Sequence, residues 1–192
     1  MSSRVIQSNI INIGLFEDTQ VVTDQGIVII KNINPLYHTI DNKRIVALIQ
    51  NIVKDKFLVH FSKHSLSRKY PNGNIVISCN HKIKFRDMYI QSCKFVGIFP
   101  NVSYVLYNGE TLYNILMEIH SNISINNIDC ETLDPTNPIA KLQTSTFCED
   151  TKNRILMLLN KSINDCDYIT YKKLLSQITF DYYINGNIQI RN

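Results

Sequence analysis

The sequence lacks the features by which several large protein classes announce themselves. No apolar run approaches the ~20 residues of a transmembrane helix; the longest, such as Gly26–Ile30 and Val102–Leu106, are far shorter. The N-terminus shows no charged-then-apolar signal pattern, so an intracellular protein with no membrane partner is expected. The net charge of +4 comes from scattered Lys and Arg, with no basic block and no basic stripe interleaved with aromatics. Nucleic-acid binding is therefore not expected. The five cysteines (Cys79, Cys93, Cys130, Cys148 and Cys166) are an odd number at irregular spacing without a C-x-x-C pair. That excludes a regular disulfide framework and a zinc knuckle, and leaves reduced thiols as the expectation. No cofactor or metal is implied.

What is present is a core. The chain has 192 residues, 44% of them hydrophobic and 19% charged, with ten Tyr and eight Phe, the composition of a folded domain. Isoleucine (30) and asparagine (22) are over-used, as in AT-rich coding sequences, so single Asn residues are discounted as signals. Between residues 19 and 132, β-branched runs alternate with turn residues about every ten positions, the pattern of a mainly β domain. Strands are predicted at 19–22, 27–30, 44–53, 56–61, 74–78, 82–85, 102–107, 111–118 and 122–125. Asn108-Gly109, between two apolar runs, predicts a tight hairpin, because both residues tolerate positive φ.

The pattern breaks at Leu133–Pro138, which holds two prolines. Beyond it a helix is predicted over 150–160, capped by Asp150 or Thr151, with Ile155, Leu158 and Leu159 on one face. A shorter helix is predicted over 168–177, then an alternating tail over 178–190 with a turn at Asn185-Gly186. The expected organisation is an arm over 1–13, a β domain over 14–138 and a C-terminal helical and β appendage over 139–192.

Three motifs carry chemistry. Ser78-Cys79-Asn80-His81 follows one apolar strand and precedes another. Thr19 to Ile33 places a Gly26 turn before the strand Ile27–Ile30. Leu112 to Glu118, His120 and Ile123 to Ile128 form a closing segment. In this order and spacing they resemble the Hint domains of hedgehog proteins and inteins, with Ser78 and His81 in the places of the T-x-x-H motif. The runs His38-Thr39-Ile40, Asn80-His81-Lys82-Ile83 and Cys130-Glu131-Thr132-Leu133 also look like Hint-like domains of large DNA virus proteins, which implies a host-cytoplasm or virion setting. The fold implied is a horseshoe of β-strands whose two ends meet at one cleft.

The resemblance implies protein autoprocessing. In Hint domains a first Cys or Ser attacks the preceding carbonyl, the motif His protonates the departing amine, and the neighbouring hydroxyl fixes the peptide. Five residues before Thr19 stands Gly14, with Leu15 the other register, and neither has a nucleophile. Where an intein has its C-terminal His-Asn, Glu131-Thr132 stands here, so Thr132 replaces the cyclising Asn. Loss of splicing and self-cleavage is expected, leaving a module for an unknown protein partner. The alternative is residual cleavage near Gly14 with His81 as acid or base. Gly14→Cys is then expected to restore slow N-terminal cleavage, since only the nucleophile would be missing.

Other residues have plainer readings. His120 matches a hairpin His that assists the C-terminal step in some Hint domains, and a structural role is favoured here. His60 and His64 would pair on one helix face as metal ligands, but no third ligand is spaced for it, and exposed loop positions are favoured. Cys130 is read as a small buried hydrophobe before a displaced nucleophile. An unrelated all-β domain would keep residues 10–16 and 78–81 far apart.

Overall fold

The structure, a computed structural model, describes residues 5–7 and 11–184. The chain divides into two compact units, residues 5–7 with 11–133 and residues 134–184. The first is a mainly β unit of two sheets. Its strands are β1 (Val5–Gln7), β2 (Leu15–Phe16), β3 (Gln20–Thr23), β4 (Gly26–Ile29), β5 (Thr39–Ile40), β6 (Lys43–Asn51) and β7 (Phe57–Phe61). They continue with β8 (Ile75–Ser78), β9 (Lys82–Phe85), β10 (Met88–Gln91), β11 (Val102–Leu106), β12 (Leu112–Met117), β13 (Asn122–Ile125) and β14 (Ile128–Glu131). One sheet has the order β1-β6-β12-β2-β8-β7-β11, with β5 beside β6; the other has β10-β9-β14-β13-β3-β4.

The alternation of Ile and Val with polar residues builds these sheets, because every second side chain points to the same face. β9 alternates half-buried Lys82 with buried Ile83, and β13 does the same through Ile123 and Ile125. The inward residues, among them Leu15, Val21, Ile77, Ile83, Ile115 and Ile125, form one core cluster. Phe85 and Phe95 meet edge to face at 5.5 Å, and Phe85 and Phe99 at 5.6 Å, filling its outer part.

The chain leaves the first sheet for the second at three places: between β2 and β3, between β8 and β9, and between β12 and β13. Cross-sheet order draws two of these together. Leu15 pairs with both Ile77 and Tyr113, and Val21 pairs with Ile125. The opening segment thus lies beside the closing one in both sheets, and Ser78–His81 turns beside Gly14.

Several expectations are corrected. Asn108-Gly109 makes no hairpin: β11 pairs with β7, and β12 with β6 and β2. Only Gly109 has positive φ (+89°), and the loop is held instead by Glu110, whose carboxylate accepts from the Asn108 amide at 3.0 Å. The two-residue hairpin turn that does form in the closing segment is Asn126-Asn127, with φ of 46° and 64°. Val5–Gln7, expected in an arm, runs parallel to Leu48–Gln50.

The second unit holds three helices, α1 (Pro138–Thr144), α2 (Glu149–Asn164) and α3 (Tyr168–Ile184). Pro138, in the segment expected to break the β pattern, also starts a helix: Asn137 Oδ1 accepts from the Ile139 amide at 2.9 Å, and Pro138, which needs no donor there, occupies the first turn. In α2 the N-cap is Cys148 rather than Asp150 or Thr151, and the buried apolar residues are Ile155, Leu156 and Leu159, with Leu158 exposed. The alternation over 178–184 is helical, not strand; the turn expected at Asn185-Gly186 lies outside the described residues. No helix among the described residues is long and apolar enough to cross a membrane.

Candidate functional site

Gly14, Ser78 and His81 come together at the crossing between β8 and β9. Gly14 N–H donates to Ser78 Oγ at 2.8 Å, and Ser78 N–H donates to the Gly14 carbonyl at 2.9 Å. The two residues, far apart in sequence, thus hold one another by both backbone groups. Ser78 and His81 are fully buried. The turn between them is closed by His81 N–H to the Ser78 carbonyl at 3.2 Å. It is braced from behind by Ser92, whose hydroxyl donates to the Ser78 carbonyl at 2.7 Å and whose amide donates to the His81 carbonyl at 2.9 Å.

The His81 ring reaches from this opening segment to the closing one. Nε2 lies 2.9 Å from the Glu131 carbonyl oxygen and 3.0 Å from Cys130 Sγ. A carbonyl only accepts, so Nε2 carries the proton and Nδ1 keeps a lone pair. That Nδ1 is buried without a hydrogen-bond partner. Burial holds the ring toward its neutral form, against the Glu131 and Gly14 backbone groups, which favour protonation. A neutral imidazole whose Nδ1 lone pair is buried and unpartnered is a group able to accept a proton.

Cys130 is not activated by this contact. Nε2 already bears hydrogen and cannot take the thiol proton, and burial, with Glu131 and Asp129 adding to it, pushes the thiol well above its ordinary range. Ser78 is likewise no nucleophile toward the Ile13–Gly14 bond. Its Oγ is engaged as the acceptor of the Gly14 amide N–H at 2.8 Å, on the nitrogen side of that bond.

Around the closing end, Thr132 is buried and its hydroxyl donates to the Ser121 carbonyl at 2.8 Å. His120 is exposed, with Nε2 3.2 Å from the Thr132 carbonyl oxygen. The Glu131 carboxylate turns outward to Lys82, 3.3 Å from Nζ. A polar cleft of about 310 Å³ opens here, lined by Lys43, Tyr89, His120, Ser121, Asn122 and Glu131.

All five candidate positions are thus grouped, but Gly14 does not leave an empty socket. A Cβ built on it would stand 2.7 Å from Leu112 Cβ, 3.3 Å from Asn51 Oδ1 and 3.4 Å from the Tyr113 carbonyl oxygen. The expectation that Gly14→Cys merely supplies a missing nucleophile is corrected by this contact, since a side chain there must displace β12. Asn51 was missed among the discounted asparagines. It is buried, its Nδ2 donates to the Ile11 carbonyl at 2.8 Å, and its Oδ1 has no partner. An Asn at the end of a strand of aliphatic residues, Ile45 to Ile49, was the available signal. His60 lies on β7 and His64 in a turn at φ 64°, so the helical pairing does not exist.

No protein-family model matches the chain, and no curated protein matches it. Among solved structures it is similar to a variant of the Ssp DnaB mini-intein, with TM-score 0.44 and 14% identity over 65% of this chain and 97% of that one. It is similar also to the gp41-1 intein, with TM-score 0.43 and 14% identity over 61% and 96%. A DnaB intein from Synechocystis sp. PCC 6803 gives TM-score 0.44 and 14% identity over 63% and 99%.

Proposed function

We propose that the β unit is a Hint-type domain that has lost self-cleavage and serves as a binding or structural module. The observation that carries this reading is the state of position 14. Its amide is held by Ser78 Oγ at 2.8 Å as a peptide about to be cleaved would be, yet it bears no nucleophile and has no room for one. The placing of one histidine between the opening segment and Glu131-Thr132 supports the ancestry, because a two-ended processing site needs a shared proton carrier. The polar cleft beside Glu131 is the surface on which a partner would be held. Intact-mass measurement tests the proposal. After prolonged incubation with dithiothreitol or hydroxylamine the chain is expected to keep its full 22.2 kDa. A fragment beginning at residue 14 or 15 overturns it.

The unpartnered Nδ1 of His81 favours one second reading, residual autoproteolysis near Gly14 with His81 as acid or base and water as nucleophile. It requires a cut that disappears in His81→Ala, in the same mass experiment.

A further inference from the structure

Two thiols stand behind the site, on the brace rather than in the cleft. Cys79 lies between Ser78 and His81, and Cys93 lies in the 3-10 turn Ser92–Phe95. Cys93 N–H donates to the Cys79 carbonyl at 3.2 Å, and the Ser92 hydroxyl also reaches that carbonyl, at 3.1 Å. This single backbone hydrogen bond sets the two residues side by side, within reach of the ~4.4–6.8 Å Cα separation that disulfides span. Both are half-buried against the same core cluster. Cys79 Sγ now donates to the Phe57 carbonyl at 3.3 Å, a weak bond that a rotation of χ1 would release. Neither thiol is sealed off, so a small oxidant has access.

We propose that Cys79 and Cys93 are an oxidation site, closing to a disulfide on contact with a peroxide and pinning the Ser78–His81 turn to the Ser92–Phe95 segment. Burial, with the nearby Asp55, pushes the Cys79 thiol up, and its Sγ is engaged with the Phe57 carbonyl, so the sequence of steps begins at Cys93. The Cys93 sulfur, giving its proton to solvent, attacks one peroxide oxygen; the O–O bond breaks, a first water leaves, and Cys93 becomes a sulfenic acid. The Cys79 sulfur then displaces the sulfenic oxygen as a second water, forming the S–S bond. Two thiols lose two electrons and two protons, and hydrogen peroxide is reduced to two waters. This inference does not depend on the Hint reading, because it needs only the brace.

The test uses the full chain carrying Cys148→Ser and Cys166→Ser, which removes the two exposed thiols. Treated with stoichiometric hydrogen peroxide, it is expected to lose the mass of two hydrogens and to give one linked peptide pair, Cys79 with Cys93. Its Tm is expected to rise by about 5–10 °C, since a short closed loop constrains the unfolded chain, and to return on adding dithiothreitol. The same chain with Cys93→Ser added is expected to show neither change. Oxygen addition without a bridge, a bridge to Cys130 or between chains, or a bridged form with lowered Tm would each overturn the proposal.

Discussion

At Gly14 the backbone makes both of its hydrogen bonds to Ser78, and the space above Cα belongs to Leu112. A contact of 2.7 Å with the Cβ of a strand residue is not relieved by rotating a side chain, because that Cβ moves only with the backbone of β12. Gly14→Ala and Gly14→Cys are therefore expected to destabilise the protein to a similar extent, by ~1–3 kcal/mol. Urea unfolding of the two variants checks this. A Gly14→Ala midpoint equal to the parent's would mean that the socket is open after all. Asn51 sits on the same side, its Oδ1 unpaired beside the space that a side chain at 14 would enter. These two residues explain why position 14 is read differently in sequence and in space. The sequence presents a missing nucleophile, whereas packing presents a filled position.

At the level of elements, the turns decide the register of the closing hairpin. Asn126 and Asn127 both have positive φ, and Asn126 also ties the hairpin to its neighbour through Nδ2 to the Asn74 carbonyl at 2.9 Å. Asparagine tolerates this region because its short polar side chain bonds locally, while a β-branched residue does not. Asn127→Val is expected to cost ~1–2 kcal/mol, with Asn127→Gly close to the parent; thermal melts of the two variants separate these outcomes. In the helical unit the cap at Asn137 fixes the start of α1. Asn137→Ala is expected to lower stability by ~1 kcal/mol, read in the same melts. Strands with alternating Ile and Val were legible from sequence, to within a residue or two of their ends. The pairing of β11 was not, because an Asn-Gly dipeptide reports the local tolerance for a tight turn and says nothing of which strand lies alongside.

Across the β unit, His81 joins the two sheets: it follows β8 in one, precedes β9 in the other, and bonds the end of β14. Its buried neutral ring takes a proton less readily than the unfolded chain does. Below the unfolded value of ~6.5 the unfolded state binds a proton that the folded state refuses, so this group's contribution is intact above that pH and is lost as the pH falls. The slope from this one group is at most ~1.4 kcal/mol per pH unit. Urea midpoints measured between pH 5 and 8 should fall more steeply toward acid for the parent than for His81→Gln. Parallel profiles would show that the ring titrates freely in the fold.

The sequence by itself determined the mainly β class and a helix within Glu149–Asn164, and it named Gly14, Ser78 and His81 as candidates. Local periodicity and the Ser78–His81 spacing are written in short stretches of chain. Tertiary structure alone decided what those residues can do. Whether Nε2 or Nδ1 of His81 bears the proton depends on a carbonyl from β14, whether Cys130 is reactive depends on its burial, and whether Gly14 leaves a vacancy depends on Leu112. Each of these is a contact between segments distant in the chain, and protonation and steric room follow from such contacts rather than from residue type.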